Sequence, residues 1–347
     1  MTDLRTSRRA TLKDVAIEAG VSVATADRVV NGREGVRDKT VRRVEAAIGK
    51  LGYRSHALAM SVANSRSYRL AFLLPANANS FMANLSDQVE KASDWLSHQN
   101  GYIDIRQVDV FDPVRLADAL RTLPIVYDGV AVVALDDVRV RAALDELVDR
   151  GVNVVTLVSD VPGSRRNHYV GIDNPAAGRT AGSLLGRFLR GRKGTVGIVT
   201  GSLSLRDHAE RFYGFRQVMT AEFPHLLTLP PLEGRDDGAR NRALVEALLA
   251  EHSDLVGLYN AGAGNDGVAD ALRAAGRAGD IAWIAHELTS DTRKLLLDGT
   301  VEAVINQDPG HEARSAARIL LAQCSGQAIY PEQERIRIEI FMRDNLG

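Results

Sequence analysis

Two groups of residues have the types and spacing to do chemistry, and the chemistry differs. Near the amino terminus, Ser22, Val23, Ala24, Thr25, Asp27, Arg28, Asn31 and Thr40 lie in a short stretch that also carries many of the chain's basic residues. An exposed arginine such as Arg28 can donate two hydrogen bonds to guanine O6 and N7, and small apolar residues such as Val23 and Ala24 can meet a thymine methyl. Asp27 repels phosphate but can accept from cytosine N4. Ser22, Thr25, Asn31 and Thr40 are short donors suited to phosphate oxygens, which fix register without reading bases.

The second group is scattered over the rest of the chain. Each member follows a short β-branched run: Asn77 and Asn79, Asp136 and Asp137, Ser159 and Asp160, Asp173, Arg206 to Arg211, Asn260, Asn265 and Asp266, His286 and Glu287, and Gln307. Carboxylates accept from hydroxyls while arginine and amides donate to them, so this set suits a polyhydroxylated ligand, with Phe81 as an apolar platform. A third motif competes. Gly262-Ala263-Gly264-Asn265-Asp266-Gly267 is a G-x-G-x-x-G run between a strand and a helix, the pattern that lets backbone approach a dinucleotide pyrophosphate. That pattern normally opens the first β-α-β unit, whereas here several units precede it.

The elements that must hold these residues can be read from periodicity. Thr11 and Asp14 form a capping box for a helix whose apolar residues are Leu12, Val15, Ala16 and Ala19, ended by Gly20. Ser22 caps a second helix, Val23 to Val30, with Ala26, Val29 and Val30 inward, stopped by Asn31-Gly32. Asp38 caps a third, with Val41, Val44, Ile48 and Leu51 inward. Two short helices joined by a turn of about four residues make a helix-turn-helix, whose second helix enters the major groove.

From Tyr68 onward, runs at 70–74, 103–108, 130–134, 152–158, 196–200, 255–259, 281–285 and 303–305 read as strands. They alternate with amphipathic stretches such as 85–96, 138–149, 176–189 and 241–250. Repeated β-α units imply parallel sheets covered on both faces, and their number implies two lobes. Ligands of such folds sit beyond the carboxyl ends of the strands. The expected fold class is therefore an all-α helix-turn-helix DNA-binding domain (1–54), a linker (55–67) and an α/β two-lobed sensor domain (68–347).

Charge agrees with this division. The net charge of -1 hides a net of +7 over residues 1–69 and -8 over the rest, a basic module on an acidic body. No run of roughly 18 apolar residues suggests a membrane span, and the basic first ten residues lack the apolar core of a secretory signal, so a cytoplasmic location is expected. The single cysteine, Cys324, reads as a core thiol. There is no G-x-S-x-G elbow, His-Glu-x-x-His or paired cysteines, so no catalytic residue, metal or cofactor is expected. His208 and His286 are weaker candidates for the cleft than for core or surface.

The first segment resembles the LacI/GalR family of bacterial repressors, through Thr11-Leu12-Lys13-Asp14-Val15-Ala16, Ala19-Gly20-Val21-Ser22, Arg28-Val29-Val30-Asn31, Val36, Thr40 and Leu51-Gly52-Tyr53. The resemblance places Val23, Ala24 and Arg28 at base-reading positions, with Asp27 where a small hydroxyl residue is usual. It implies that Ser55 to Ala63 form a hinge helix that orders on the operator, with Val62, flanked by Met60 and Ser61, at the position of a leucine wedged into the minor groove.

The remainder is similar to LacI-type sensors and ribose-type periplasmic sugar-binding proteins. The matching pieces are Val170-Gly171-Ile172-Asp173-Asn174 with Ala177-Gly178, Arg211-Phe212-Tyr213-Gly214-Phe215, Asn265-Asp266 and Ile305-Asn306-Gln307. By that similarity Arg211 grips ring and hydroxyl oxygens, Asn265 and Gln307 are cleft amides, and Glu287 takes an aspartate's place. Asn79 and Phe81 supply an amide and a stacking ring. Val158-Ser159 replaces the Asp-Arg pair of ribose binders.

The expectation is a homodimeric transcriptional repressor, allosterically controlled by a sugar or polyol and bound to a pseudo-palindromic operator, without a membrane partner. The residues allow a corepressor arrangement equally with an inducer. The alternatives are a transport system's sugar-binding protein and, on the glycine motif alone, a nicotinamide-dependent enzyme.

Overall fold

The computed structural model describes residues 11–30, 35–51, 66–76 and 79–346. Asn31, Asn77, Val62 and the expected hinge helix at 55–63 lie outside them. The chain divides into two compact units, up to Ser67 and from Tyr68 onward.

The first unit contains α1 (Leu12–Ala19), α2 (Val23–Val30) and α3 (Asp38–Leu51). Thr11 Oγ1 accepts from the Asp14 backbone at 3.3 Å while the Asp14 carboxylate accepts from the Thr11 backbone at 2.8 Å. This reciprocal cap is worth about 1 kcal/mol. Gly20 ends α1 at φ 61°, a left-handed position that glycine adopts without a Cβ clash. Arg43 on α3 donates to the Ala19 carbonyl at 2.5 Å and so ties the third helix to the turn. Val15, Ala19, Val44 and Ala47 form the small core, with Val21, Val29, Ile48 and Leu51 packed around it.

The second unit has two sheets. The first, in the order β2-β1-β3-β4-β5, is all parallel and consists of β1 (Tyr68–Pro75), β2 (Gly101–Val108), β3 (Gly129–Val132), β4 (Asn153–Leu157) and β5 (His168–Val170). The second, in the order β11-β10-β9-β8-β6-β7, consists of β6 (Gly194–Thr200), β7 (Leu226–Glu233), β8 (Leu255–Asn260), β9 (Ala282–His286), β10 (Ala303–Asn306) and β11 (Glu339–Phe341). Only β11 runs antiparallel. The helices are α4 (Ser80–Ser97), α5 (Pro113–Arg121), α6 (Val138–Asp149), α7 (Asn174–Phe188), α8 (Arg206–Glu222), α9 (Gly238–Glu251), α10 (Asn265–Ala274), α11 (Ser290–Leu297), α12 (Pro309–Ser325) and the short α13 (Pro331–Glu334).

Three strands escape the periodicity reading. β5 and β11 have three residues each, too short to show alternation. β7 contains Pro230 and Pro231, which argue against a central strand. The structure puts β7 at the edge of its sheet, and its pairing with β6 shifts register between Thr228 and Pro231, where the prolines lack N–H groups.

The chain crosses between the lobes three times. After β5 it enters the second lobe as α7, after β10 it returns to pack α12 on β1, β3 and β4, and then it goes back to pair β11 with β10. The tightest helix pair is α7 with α8. A Cβ on Gly178 would collide with the Arg211 carbonyl, and one on Gly214 with the Pro175 carbonyl, so the two backbones touch. That contact sets the position of Arg211 in the middle of α8.

Candidate functional site

On the first unit, α2 buries Ala26 and Val30 and leaves the opposite face in solvent. Val23 is 47% exposed, and Ala24 and Arg28 are exposed beside it. Ser22 Oγ accepts from the Thr25 backbone at 3.1 Å and lies 2.8 Å from Thr25 Oγ1, so both hydroxyls first serve the start of the helix. Asp27 and Thr40 are half-buried. The helix thus presents a small apolar pair and a guanidinium on one face, the arrangement that direct base readout requires.

In the second unit a cleft of about 410 Å³ opens between the lobes. The first lobe contributes Asn79 and Phe81. The second contributes Arg235 to Gly238 after β7, Ala263 to Asp266 after β8, and Glu287, Thr289 and Asp291 after β9. Asn79 caps α4 through its carbonyl oxygen, which accepts from the Met82 backbone at 2.9 Å. Its amide nitrogen reaches across the cleft to Asp236 at 3.5 Å.

Beneath the cleft lies a buried polar network. Arg211 is 2% exposed. Its Nε donates to Asn174 Oδ1 at 2.8 Å, and its Nη1 donates to the Ala261 carbonyl at 3.1 Å and lies 3.6 Å from Glu287 Oε1. Gln307 Nε2 donates to the same Glu287 oxygen at 2.8 Å. Asn265 donates to the His286 carbonyl at 3.2 Å and accepts from Asn260 at 2.8 Å. Arg211 Nη2, Glu287 Oε2, Gln307 Oε1 and Ser159 Oγ are buried without a hydrogen-bond partner among the described residues. Buried polar atoms are rarely left unpaired, and a group of them around one cleft marks a place for a ligand.

The backbone is strained at two matching points. Val158 after β4 and Glu287 after β9 both have φ 65°. For a β-branched residue this is a true outlier, costing about 1–3 kcal/mol, and such strain gathers at binding sites.

Burial acts to lower the Arg211 pKa, but the carboxylates of Glu287 and Asp207 outweigh it and hold the guanidinium above its ordinary value. Burial pushes Glu287 up to about 7, against the opposing pull of Arg211 and Gln307. Glu312 on α12 is wholly buried with both oxygens unpartnered, and burial together with the Glu287 charge drives it well above the usual carboxylate range. Glu287 supports a sign-definite prediction. Its folded pKa lies above the unfolded value near 4.5, so its contribution to stability is full below that pH and is lost as pH rises through 7. Between pH 5 and 8, wild type is expected to lose on the order of 3 kcal/mol relative to Glu287→Gln, read from paired urea titrations. Parallel pH profiles for the two proteins would remove the buried-acid assignment.

Two expected cleft residues lie elsewhere. Asp173 is exposed and caps α7 by accepting from the Ala176 backbone at 2.8 Å, and it is the next residue, Asn174, that is buried against Arg211. Asp137 caps α6 and is held at about pKa 2, chiefly by its hydrogen bond from Arg139. It lines a separate opening of about 680 Å³ with Asp136, Arg139 and Arg206. Ser159 borders a small chamber adjoining the main cleft, together with Asp207, His208 and Asp236. His286 is wholly buried and bonded to Tyr259 OH at 2.9 Å. Asn174, Asp236 and Glu312 were not legible as site residues.

The G-x-G-x-x-G loop is occupied by the protein itself. Asn241 donates to the Ala263 and Gly264 carbonyls at 2.8 and 3.1 Å, and a Cβ on Gly267 would collide with the Gly238 carbonyl. These glycines serve the packing of α9 on α10, beside carboxylates that would repel a phosphate. Among the described residues no group of three His, Cys, Asp or Glu side chains is placed to hold a metal, and no helix is long and apolar enough to cross a membrane.

Residues 11–56 match the family described as bacterial regulatory proteins, lacI family, and residues 70–328 match the periplasmic binding protein domain. The D-ribose/D-allose-binding protein of Pseudomonas aeruginosa is 26% identical over 288 residues, covering 77% of this chain and 85% of that protein. Catabolite control protein A of Streptococcus mutans is 36% identical over 87 residues, which span 25% of this chain and 26% of that protein. A solved solute-binding protein of an ABC transporter from Burkholderia graminis, in complex with D-arabinose, superposes with a TM-score of 0.74 at 25% identity, covering 81% of this chain and 97% of that one.

Proposed function

The chain belongs to the periplasmic binding protein domain family over residues 70–328 and carries a segment of the lacI family of bacterial regulatory proteins at 11–56, and on that premise we propose that it is a LacI-type repressor released from its operator by a small sugar or polyol. One observation carries the sensor half. Glu287 lines a cleft that also offers Asn79, Asn265 and the ring of Phe81, and it leaves a buried oxygen unpaired, as do Arg211 and Gln307 a polar atom each, both contacting Glu287 from beneath the cleft. Donors and acceptors in this mixture match vicinal hydroxyls, and Phe81 matches the apolar face of a sugar. The exposed face of α2 carries the DNA half, with Val23, Ala24 and Arg28 on bases; Ser22, Thr25 and Thr40, with Asn31 outside the described residues, are assigned to phosphates.

Operator and effector are coupled in this reading through a homodimer. Two α2 helices read the half-sites, residues 55–67 act as the hinge with Val62 as its wedge, and ligand closure of the lobes repositions the hinges. The binding proteins of transport systems use the same two-lobed fold, but the segment at 11–56 has no part in that task.

A thermal-shift screen of the full chain against pentoses, hexoses, polyols, sugar acids and sugar phosphates tests the sensor. A ligand at about 100 times its Kd adds about 2.7 kcal/mol, so a true effector is expected to raise the unfolding midpoint visibly. A flat response across the panel would contradict a sugar-type effector.

A further inference from the structure

Beside the main cleft lies a chamber of about 30 Å³, bounded by Asn79, Asp236, Asp207, His208 and Ser159 with apolar walls that include Met82 and Phe111. It shares Asn79 and Asp236 with the cleft, so a ligand in the cleft can extend a group into it. Its size admits one small polar group.

The chemistry of the chamber is one-sided. Asp207 is 5% exposed and its Oδ1 has no hydrogen-bond partner among the described residues; neither has Ser159 Oγ. Asp236 Oδ1 accepts from the Ala263 backbone at 2.8 Å, which leaves Oδ2 with the 3.5 Å contact from Asn79 and His208 Nε2 at 4.0 Å. Gly201 and Gly262 keep the space for this carboxylate, since a Cβ on either would collide with Asp236 Oδ1.

The nearby cations are engaged elsewhere. Arg211 spends its hydrogen bonds on Asn174 and Ala261 and lies beside Glu287, acting on Asp207 only through space, while Arg206 pairs with Asp136 and Glu210, and Arg235 lies over the Phe111 ring at 5.3 Å. His208 Nδ1 accepts from the Ser202 backbone at 3.2 Å, which turns Nε2 toward the two aspartates. That nitrogen stands 3.6 Å from Asp207 and 4.0 Å from Asp236, too far for a hydrogen bond. Two aspartates are thus brought together in a largely buried chamber with no hydrogen bond from a cation, only the through-space pull of Arg211 on Asp207 and the more distant His208 ring, an arrangement that a cationic group of the ligand would complete.

A hydroxyl has one proton to give. A primary ammonium has three, and the chamber offers three acceptors in Asp207 Oδ1, Asp236 Oδ2 and Ser159 Oγ. We propose that the effector is a polyol bearing a primary ammonium group, an amino sugar or amino polyol, with the ammonium seated in this chamber and the hydroxyls on Arg211, Glu287 and Gln307. This assignment rests on the sugar-sensor reading and narrows it.

The test uses the full chain with D-glucosamine, D-galactosamine, D-mannosamine and 1-amino-1-deoxy-D-glucitol, each beside its hydroxyl parent and its N-acetyl derivative, by thermal shift and titration calorimetry. At least one amine is expected to bind tenfold or more tighter than its parent, and N-acetylation to abolish the gain. Asp207→Asn and Asp236→Asn are expected to erase the preference for the amine. Ser159→Ala, which removes no charge, reduces it a few-fold and serves if an aspartate variant fails to fold. Parents that bind as well as the amines in every pair overturn the ammonium assignment and leave the sugar sensor standing. No response from any amine or parent overturns both.

Discussion

Arg28→Ala is expected to abolish operator discrimination without disturbing the fold. Arg28 is exposed on α2, so its removal opens no cavity. A bidentate arginine–guanine pair carries about 1–3 kcal/mol of base discrimination. A homodimer on two half-sites doubles this to roughly 2–6 kcal/mol, about 30-fold to 10⁴-fold in operator affinity. Binding to unrelated duplex changes little, because the phosphate contacts remain, and the salt dependence keeps nearly its full slope. Fluorescence anisotropy on an operator selected from random duplexes measures both quantities. Wild-type affinity for the operator in the variant would remove Arg28 from the reading face.

Arg211→Lys is expected to do the reverse, leaving operator affinity intact and blunting the response to ligand. Arginine supplies a planar fork whose Nε and Nη1 are already fixed by Asn174 and Ala261, which aims Nη2 as a free donor. Lysine keeps the charge beside Glu287 and Asp207, so the fold avoids an uncompensated buried carboxylate, but it cannot reproduce the fork. A charged hydrogen bond lost in a buried site costs about 1.5–3 kcal/mol, roughly 10-fold to 150-fold in ligand affinity. Calorimetry with the sugar found in the screen measures this. An unchanged ligand Kd would show that Arg211 is only a structural ion pair.

These two residues were legible in the sequence for different reasons. The helices around Arg28 are short, local and punctuated by caps. Their boundaries at Leu12–Ala19 and Val23–Val30, and the Thr11–Asp14 box, follow from neighbours in sequence. Arg211 stands out from the run Arg206 to Arg211 only through resemblance, because its role depends on Asn174, Ala261 and Glu287, which are far away along the chain. The position after a strand is neither necessary nor sufficient for a place near the cleft, since Arg211 and Glu312 lie within helices. Asp137 and Asp173 satisfy it, yet each is used as a helix cap. Asp236 was hidden for another reason. It follows β7, and the prolines that disguise β7 also disguised the cleft residues after it; the signal available was the Arg235-Asp236-Asp237-Gly238 run. Glu312 gave no local sign, since a lone acid in an apolar helix acquires meaning only from its neighbours in space.

The central claim is that one ligand and one operator compete through a single chain. The direct measurement is a titration of operator against the full-length protein with and without the sugar identified by thermal shift, repeated as a titration of sugar with and without operator. Linkage requires both affinities to fall by the same factor, expected at about 5-fold to 150-fold. An operator affinity that a saturating sugar leaves unchanged would contradict the account.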